Sequence, residues 1–419
     1  MRILYIIHQF YPEFASGTER VAFELAKAAQ RDGHYVEVLT CTIKDKSLWP
    51  STDGDGFYHS VIDGVPVYAL PHAGGTDART QLGFGRVASQ REVLGRFLTA
   101  RTSFDIAHVV HSMRMVDVVE ALADHRIPYL LTLTDFFAAC YRVNLVRLSG
   151  RLCPGPAGGE NCVRHCSTSE LDRGALVARQ HRLKRVLFSA AAVVACSQSV
   201  ADVFREEYPE LRMFVVEHGI DLLRFGPPRP HRTGNVVFGY LGTLSNAKGA
   251  HVLAEAFVQA APPGARLELV GPAHDEPFRK LLSELTADNI VIRAPVAAKQ
   301  VPETLAGFDV FCLPSLVPET FSLAMHESFA AGVPCLVSDL GHPARVVRQH
   351  GCGGVVAAGD VAAWRDIIRS VSADSSILLG WRDKLPLPRR VEEEGFLYGQ
   401  LYRAILTSSV PAEASKVAS

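Results

Sequence analysis

Residues 224–249 read RFGPPRPHRTGNVVFGYLGTLSNAKG. The first eleven, Arg224–Gly234, hold three prolines and two glycines, a composition that punctuates a chain between folded units. An apolar run, Val236–Leu241, then opens a strand. A glycine-bearing loop follows, and Ala250–Ala260 has the length and apolar content of a helix. The alternation continues downstream, with strands over Arg266–Val270, Ile290–Arg293, Val310–Leu313 and Pro334–Ser338, and helices over Pro277–Thr286 and Ser322–Ala331. The same pattern stands upstream: strands at Ile3–Ile7, Tyr35–Thr40, Ile106–Val110, Tyr129–Leu133 and Ala192–Cys196, with a helix over Glu19–Arg31 carrying Val21, Leu25 and Ala28. Continuous apolar runs of this kind are what a parallel sheet buries on both faces. Their alternation with helices predicts an α/β, doubly wound architecture, built twice.

A chain of 419 residues also exceeds what one hydrophobic core ordinarily serves. The expected division is an N-terminal Rossmann-like domain over 1–227, a second over 228–387, and an amphipathic helix over 388–409. That helix follows the proline-bearing break Leu385–Pro388 and returns to the first domain. With 48% hydrophobic and 21% charged residues, the composition is that of a globular protein; the small, polar stretch Val410–Ser419 reads as a disordered tail. The 43 Lys and Arg against 44 Asp and Glu leave a net charge of -1, so bulk electrostatics recruit neither nucleic acid nor an anionic membrane. His8 and Gln9 cut the first apolar run short of a signal peptide, and no run approaches a membrane span. A cytoplasmic protein is expected, its nine cysteines not forming a paired framework.

Open parallel sheets place ligands beyond the carboxyl ends of their strands, where a helix start offers amides and a positive dipole end to an anion. Three connections fit. Tyr11–Arg20 carries Gly17, which permits a close backbone approach or an unusual dihedral, and Glu19 at the helix opening. Leu241–Gly249 carries Gly242, Thr243 and Lys248, and lacks the spacing of a Walker A loop. Pro314–Pro334 carries Glu319, then the amides of Thr320, Phe321, Ser322 and Leu323 at a helix start, then Glu327. Carboxylates beside a phosphate site make poor phosphate ligands and good acceptors for sugar and ribose hydroxyls. Taken singly, each connection is equally compatible with an ordinary loop.

Together they carry a resemblance. Glu319-x7-Glu327, running on through Ser328 to Pro334, resembles the E-x7-E segment of retaining GT-B glycosyltransferases of family four, in the polysaccharide-biosynthesis branch. The GTLSNAKG loop looks like that family's G-R-L-x-x-x-K-G element, Ser16-Gly17-Thr18-Glu19 like its G-G-x-E loop, and His218-Gly219-Ile220-Asp221 like its N-G-[VI]-D. The resemblance implies two Rossmann-like domains facing across a cleft and a hexosyl transfer with retention. The donor implied is a nucleotide diphosphate-sugar (UDP-, GDP- or dTDP-linked), bound without a metal. It implies that Lys248 neutralises the diphosphate, Glu319 holds sugar hydroxyls, Glu327 holds the ribose, and Gly17 approaches the phosphates. It also implies a sugar, lipid-linked or small-molecule acceptor. Two positions depart from the pattern: Thr243 stands where an arginine is usual, and Thr134 where T-x-H-D carries a histidine. His111 is the candidate catalytic substitute. A degenerate nucleotide-binding subunit and a sugar-nucleotide epimerase on the same scaffold are the rival readings.

Cys140, Cys153, Cys162 and Cys166 lie in one glycine-rich insertion, residues 138–168, with C-x12-C-x8-C-x3-C spacing. Four thiols so spaced suggest a structural zinc, with His165 as an alternative ligand; an iron–sulfur cluster, two disulfides and four free thiols are the other readings of the spacing. The run Arg179–Arg185, RQHRLKR, reads first as a solvated helix face, and otherwise as a contact for an anionic lipid-diphosphate acceptor or a membrane face.

Overall fold

The computed structural model describes residues 1–407 apart from 44–45, 53–55, 72–77, 86–87, 102, 230–234, 274 and 286. The end of the expected linker and the Val410–Ser419 tail lie outside the described residues. The chain divides into two units, Met1–Gly219 with the segment from Val391 onward, and Ile220–Arg390.

In the first unit, β1 (Arg2–Ile6), β2 (Tyr35–Thr42), β3 (Ser51–Thr52), β4 (Tyr58–Ile62), β5 (Val65–Pro71), β6 (Ile106–Val109), β7 (Tyr129–Leu133), β8 (Ala192–Ala195) and β9 (Met213–Val215) form one sheet, ordered β3-β4-β5-β2-β1-β6-β7-β8-β9. From β5 to β9 in that order every pairing is parallel, while β3 and β4 add an antiparallel edge. The β4–β5 hairpin turns on Asp63-Gly64, both at positive φ, the backbone a two-residue I′ turn requires. This Asp-Gly signal was present in the sequence and absent from the alternating strand–helix reading. Ile3, Leu4 and Ile6 have no exposure, as expected for strands covered on both faces.

The C-terminal helix, Val391–Leu406, packs within this unit through a buried polar network. Tyr402 bonds Tyr5 at 3.0 Å and His108 Nδ1 at 2.7 Å; Thr132 bonds His108 Nε2 at 2.8 Å and Tyr398 at 2.9 Å. Burial drives the His108 pKa down to about 3, so the ring is neutral and exchanges one donated and one accepted bond. At the helix's first turns Glu394 takes His218 Nδ1 at 2.9 Å and the Gly219 amide at 2.8 Å. Burial alone would depress His218; bonds to Cys196 and Glu394 overcome it and raise its pKa to about 10.

The Arg173–Ser189 helix corrects one expectation. Arg179, Gln180 and Arg182 of the basic run are buried in the protein. Arg182 is bonded to Asp117 and Glu120, and Arg179 to the carbonyls of Leu82 and Phe137. Half of the run's positive charge is therefore spent internally, because charges set three apart on a helix share one face and here that face packs inward. Among the described residues no helix is long and apolar enough to cross a membrane.

The second unit is a fully parallel six-stranded sheet of β10 (Val237–Leu241), β11 (Arg266–Val270), β12 (Ile290–Arg293), β13 (Val310–Leu313), β14 (Cys335–Ser338) and β15 (Gly353–Val356), ordered β12-β11-β10-β13-β14-β15. Successive strand residues point to opposite faces, and two cores result. Phe238, Tyr240, Leu267 and Trp364 fill one; Val237, Phe311, Met325 and Phe329 fill the other. The loops leaving β10 and β13, neighbours in the sheet, touch at their backbones. Gly249, at φ +71, lies where an added Cβ would stand 1.9 Å from the Pro314 carbonyl oxygen, and Leu316 N donates to Ala247 O at 2.9 Å. Only glycine satisfies both the left-handed backbone and the contact.

Gly249→Ala is expected to lower the unfolding free energy on the order of 3 kcal/mol, left-handed strain adding to the clash, as read by urea denaturation. A second expectation concerns pH. A histidine whose pKa is raised on folding stabilises fully below its unfolded value near 6.5 and loses that contribution as pH rises towards about 10. Melting temperature should accordingly fall across that interval, and His218→Asn should flatten the slope. An unchanged slope in the variant would assign the pH dependence elsewhere.

Candidate active site

Beyond the carboxyl ends of β10 and β13 the expected donor residues meet. Lys248 Nζ lies 2.7 Å from Glu319 Oε1, and Ser315 Oγ donates to the same carboxylate oxygen. Glu319 is held from its backbone as well: its carbonyl accepts from His342 N at 2.9 Å, and it forms an isolated parallel bridge with Gly341. The carboxylate is thus fixed on a short strand-like segment, with a cation beside it that is 37% exposed. A lysine in this position presents a point charge that an incoming polyanion can share or take over.

The helix after Glu319 spans Leu323–Ala330. Its N-cap, Ser322, adopts φ +70, and its hydroxyl accepts from Met325 N at 3.4 Å. A non-glycine residue in the left-handed region costs about 1 kcal/mol or more. It turns the chain abruptly from the Glu319 segment into the helix, so the amides of Phe321, Ser322 and Leu323 stand at the helix start. Phe321 stacks on His326 with ring centroids 4.0 Å apart, and His342 continues the stack. Glu327, one turn on, is buried, with Arg224 Nη1 3.4 Å from Oε1. Gly242 and Thr243 follow β10 directly. Thr243 is exposed and its carbonyl accepts from the Tyr240 hydroxyl at 2.7 Å.

In the first unit, His111 follows β6 and Asp135 follows β7. His111 Nε2 lies 2.6 Å from Asp135 Oδ2, and Met113 N donates to His111 Nδ1 at 3.1 Å. Because Nδ1 accepts a backbone proton, the ring's own hydrogen sits on Nε2 and points at the carboxylate. Asp135 is held in turn by Phe137 N at 2.8 Å, and the His8 ring lies against His111 with centroids 4.1 Å apart. His111, Ser112, Thr132, Thr134, Asp135 and Phe137 line a small hollow open to solvent. Thr134 Oγ1 turns to the Val110 carbonyl at 3.5 Å.

The structure places Lys248, Glu319 and Ser322 on adjoining loops of one unit, with Glu327 in the helix that follows, and pairs His111 with Asp135 in the other. Gly17 is the first residue of the Gly17–Arg31 helix, so the unusual dihedral allowed for it is not used. Glu19 serves as the third residue of a capping box, accepting from Ser16 N at 2.9 Å, and is fully buried. Ser315, Arg224, His8 and Asp135 escaped the sequence reading as site residues. Asp135 alone carried a signal, being the last residue of T-L-T-D. None of the nine cysteines is in a disulfide, and among the described residues no three His, Cys, Asp or Glu side chains stand ready around a metal position.

Known proteins match this arrangement along most of the chain. The family described as Glycosyltransferase Family 4 matches residues 15–224, half of the chain, and Glycosyl transferases group 1 matches 235–374. A D-inositol 3-phosphate glycosyltransferase of Xylanimonas cellulosilytica is 28% identical over 253 residues, 54% of this chain and 59% of the relative's length. A glycogen synthase of Mycobacterium tuberculosis is 27% identical over 397 residues, 89% of this chain and 86% of its own. Among solved structures, Anabaena HepE in complex with UDP and glucose has a TM-score of 0.68 at 17% identity, covering 96% of this chain and 99% of that one. The sucrose-phosphate synthase of Thermosynechococcus elongatus reaches 0.70 at 18%, covering 97% and 100%. Such neighbours are GT-B glycosyltransferases, so the two parallel-sheet units have the GT-B fold. The chain belongs to Glycosyltransferase Family 4.

Proposed function

We propose that this chain transfers a hexosyl group from a nucleotide diphosphate-sugar to an acceptor hydroxyl with retention of configuration. The Lys248–Glu319 contact carries the reading. In the absence of donor the two charges satisfy one another. A bound diphosphate draws the ammonium onto its oxygens and leaves Glu319, still fixed by Ser315 and its backbone, to accept from sugar hydroxyls. Glu327 accepts from the ribose hydroxyls, with Arg224 keeping its carboxylate oriented. The amides of Thr320, Phe321, Ser322 and Leu323 and the loop at Gly242 and Thr243 cradle the phosphates. Stabilising the departing diphosphate by fixed donors is then the principal source of rate, and no metal is needed at the donor.

His111 is the group assigned to the reacting sugar. With its Nε2 hydrogen directed to Asp135, it takes the place of the histidine that Thr134 replaces. HepE was solved with UDP-glucose, so UDP-glucose is the first donor to try among UDP-, GDP- and dTDP-sugars. The acceptor is a sugar, a lipid-linked sugar or a small molecule; relatives include D-inositol 3-phosphate glycosyltransferases and glycogen synthases.

Calorimetric titration with UDP, GDP and dTDP tests the donor site. One nucleotide should bind selectively, and Lys248→Ala should weaken it about 10- to 100-fold, the worth of one charge-assisted contact. Glu319→Ala should retain nucleotide binding and lose transfer, with the product's anomeric configuration read by NMR. If no nucleotide binds, the donor assignment fails. Selective binding without transfer to any acceptor of a broad panel would instead support a degenerate nucleotide-binding subunit.

A further inference from the structure

His111 and Asp135 form one contact with unequal access to solvent: the histidine side chain is 4% exposed and the aspartate's 26%. Both imidazole nitrogens are engaged inside the first unit. Nδ1 accepts from Met113 N at 3.1 Å, and the Nε2 hydrogen goes to Asp135 Oδ2 at 2.6 Å. A ring with one donor and one acceptor then has neither left for a ligand. The ring is also packed, with the centroids of His8 and Phe137 at 4.1 and 5.5 Å, and His8 is itself buried.

Asp135 is the reverse case. A carboxylate accepts at about four lone-pair positions. Oδ1 takes Phe137 N at 2.8 Å and Oδ2 takes His111, so each oxygen keeps capacity for a further donor. The segment is anchored once more where the buried Arg179 donates from Nη2 to Phe137 O at 2.6 Å. The carboxylate is therefore fixed, and with His111, Ser112 and Thr134 it lines the small hollow that opens to solvent beyond β6 and β7. An aspartate that only closes its own turn needs the amide two residues on. It has no need of a buried imidazole donating from the connection after a neighbouring strand. Such a carboxylate suits a hydroxyl, which gives up its one hydrogen and keeps its lone pairs for attack. Holding that hydrogen aims the lone pairs.

We propose that Asp135 accepts the hydrogen bond of the attacking acceptor hydroxyl, and that His111 is a positioning residue whose effect on the reacting sugar passes through Asp135. The inference rests on the transferase reading above. There Glu319, in the second unit, accepts from hydroxyls of the donor sugar, and the acceptor hydroxyl is the one still without an assigned partner. In the transfer that hydroxyl's oxygen bonds the anomeric carbon. The anomeric bond to the diphosphate breaks with its electron pair staying on the diphosphate, and the hydroxyl proton follows to the diphosphate. Asp135 ends the step as it began, a carboxylate.

The test measures transfer from UDP-, GDP- and dTDP-glucose to glycogen and to D-inositol 3-phosphate as acceptor probes, beside calorimetry with the matching nucleotide. Asp135→Asn should lower kcat/KM for the acceptor about 10- to 100-fold, the worth of one hydrogen bond to a charged group. Nucleotide affinity and the hydrolysis of donor by water should stay at the wild-type level. His111→Phe keeps a ring against His8 and removes the donor; it should cost less than Asp135→Asn, and His111→Gln, which restores an N–H, should recover part of that loss. Should Asp135→Asn fail to fold, the His111 variants decide: recovery by glutamine supports the proposal, and equal losses in both overturn it. Unchanged acceptor kinetics in Asp135→Asn, weakened nucleotide binding in that variant, or a larger loss in His111→Phe would each overturn it while leaving the transferase reading intact. Transfer by the wild-type chain to neither probe would remove that reading, and this inference with it.

Discussion

Two loops that leave neighbouring parallel strands must meet with no side chain between them, and the candidate donor site depends on that. At Gly249 the backbone reaches the Pro314 carbonyl so closely that a single Cβ would displace it. The Leu316–Ala247 bond closes the same contact from the other side. Lys248 precedes that glycine and Glu319 lies five residues past Pro314, so their 2.7 Å pairing follows from the approach of the backbones. The left-handed Ser322 then directs the chain into the helix that carries Glu327.

The first unit spends its polar residues differently. Tyr5, His108 and Thr132 lie on β1, β6 and β7, adjacent strands of a buried sheet, where each would be costly alone. The hydroxyls of Tyr398 and Tyr402 satisfy them. A helix nearly three hundred residues away in sequence from His108 is thereby specified by hydrogen bonds as well as by apolar burial. The His218–Glu394 pair adds a charge to the same docking. A network satisfied at every group favours one arrangement over its competitors, because any displacement leaves several buried groups unpaired.

Thr134 and Asp135, consecutive after β7, turn to different partners. Its hydroxyl turns to a neighbouring strand's carbonyl, while Asp135, the residue after it, engages His111 from the adjacent strand. An imidazole thus stands at the carboxyl end of the sheet, on the connection that follows β6.

The sequence by itself determined the fold class and which connections carry Lys248, Glu319 and Glu327. Apolar runs of strand length and the 3.6 period of helices are local properties, and Glu319, Glu327 and Lys248 sit on connections whose place in a parallel sheet follows from that alternation. The Asp-Gly hairpin was also written locally and was passed over in favour of the stronger strand–helix rhythm. Tertiary structure decided which polar residues serve one another. That Arg179 and Arg182 turn inward, that Glu19 caps its own helix and that His111 finds Asp135 depend on which face of an element is covered. His108 finds Tyr402 in the same way. A charged run has the same spacing whether its helix face meets water or a second layer. Only the packed neighbours, brought from distant parts of the chain, set the desolvation that makes each partner necessary.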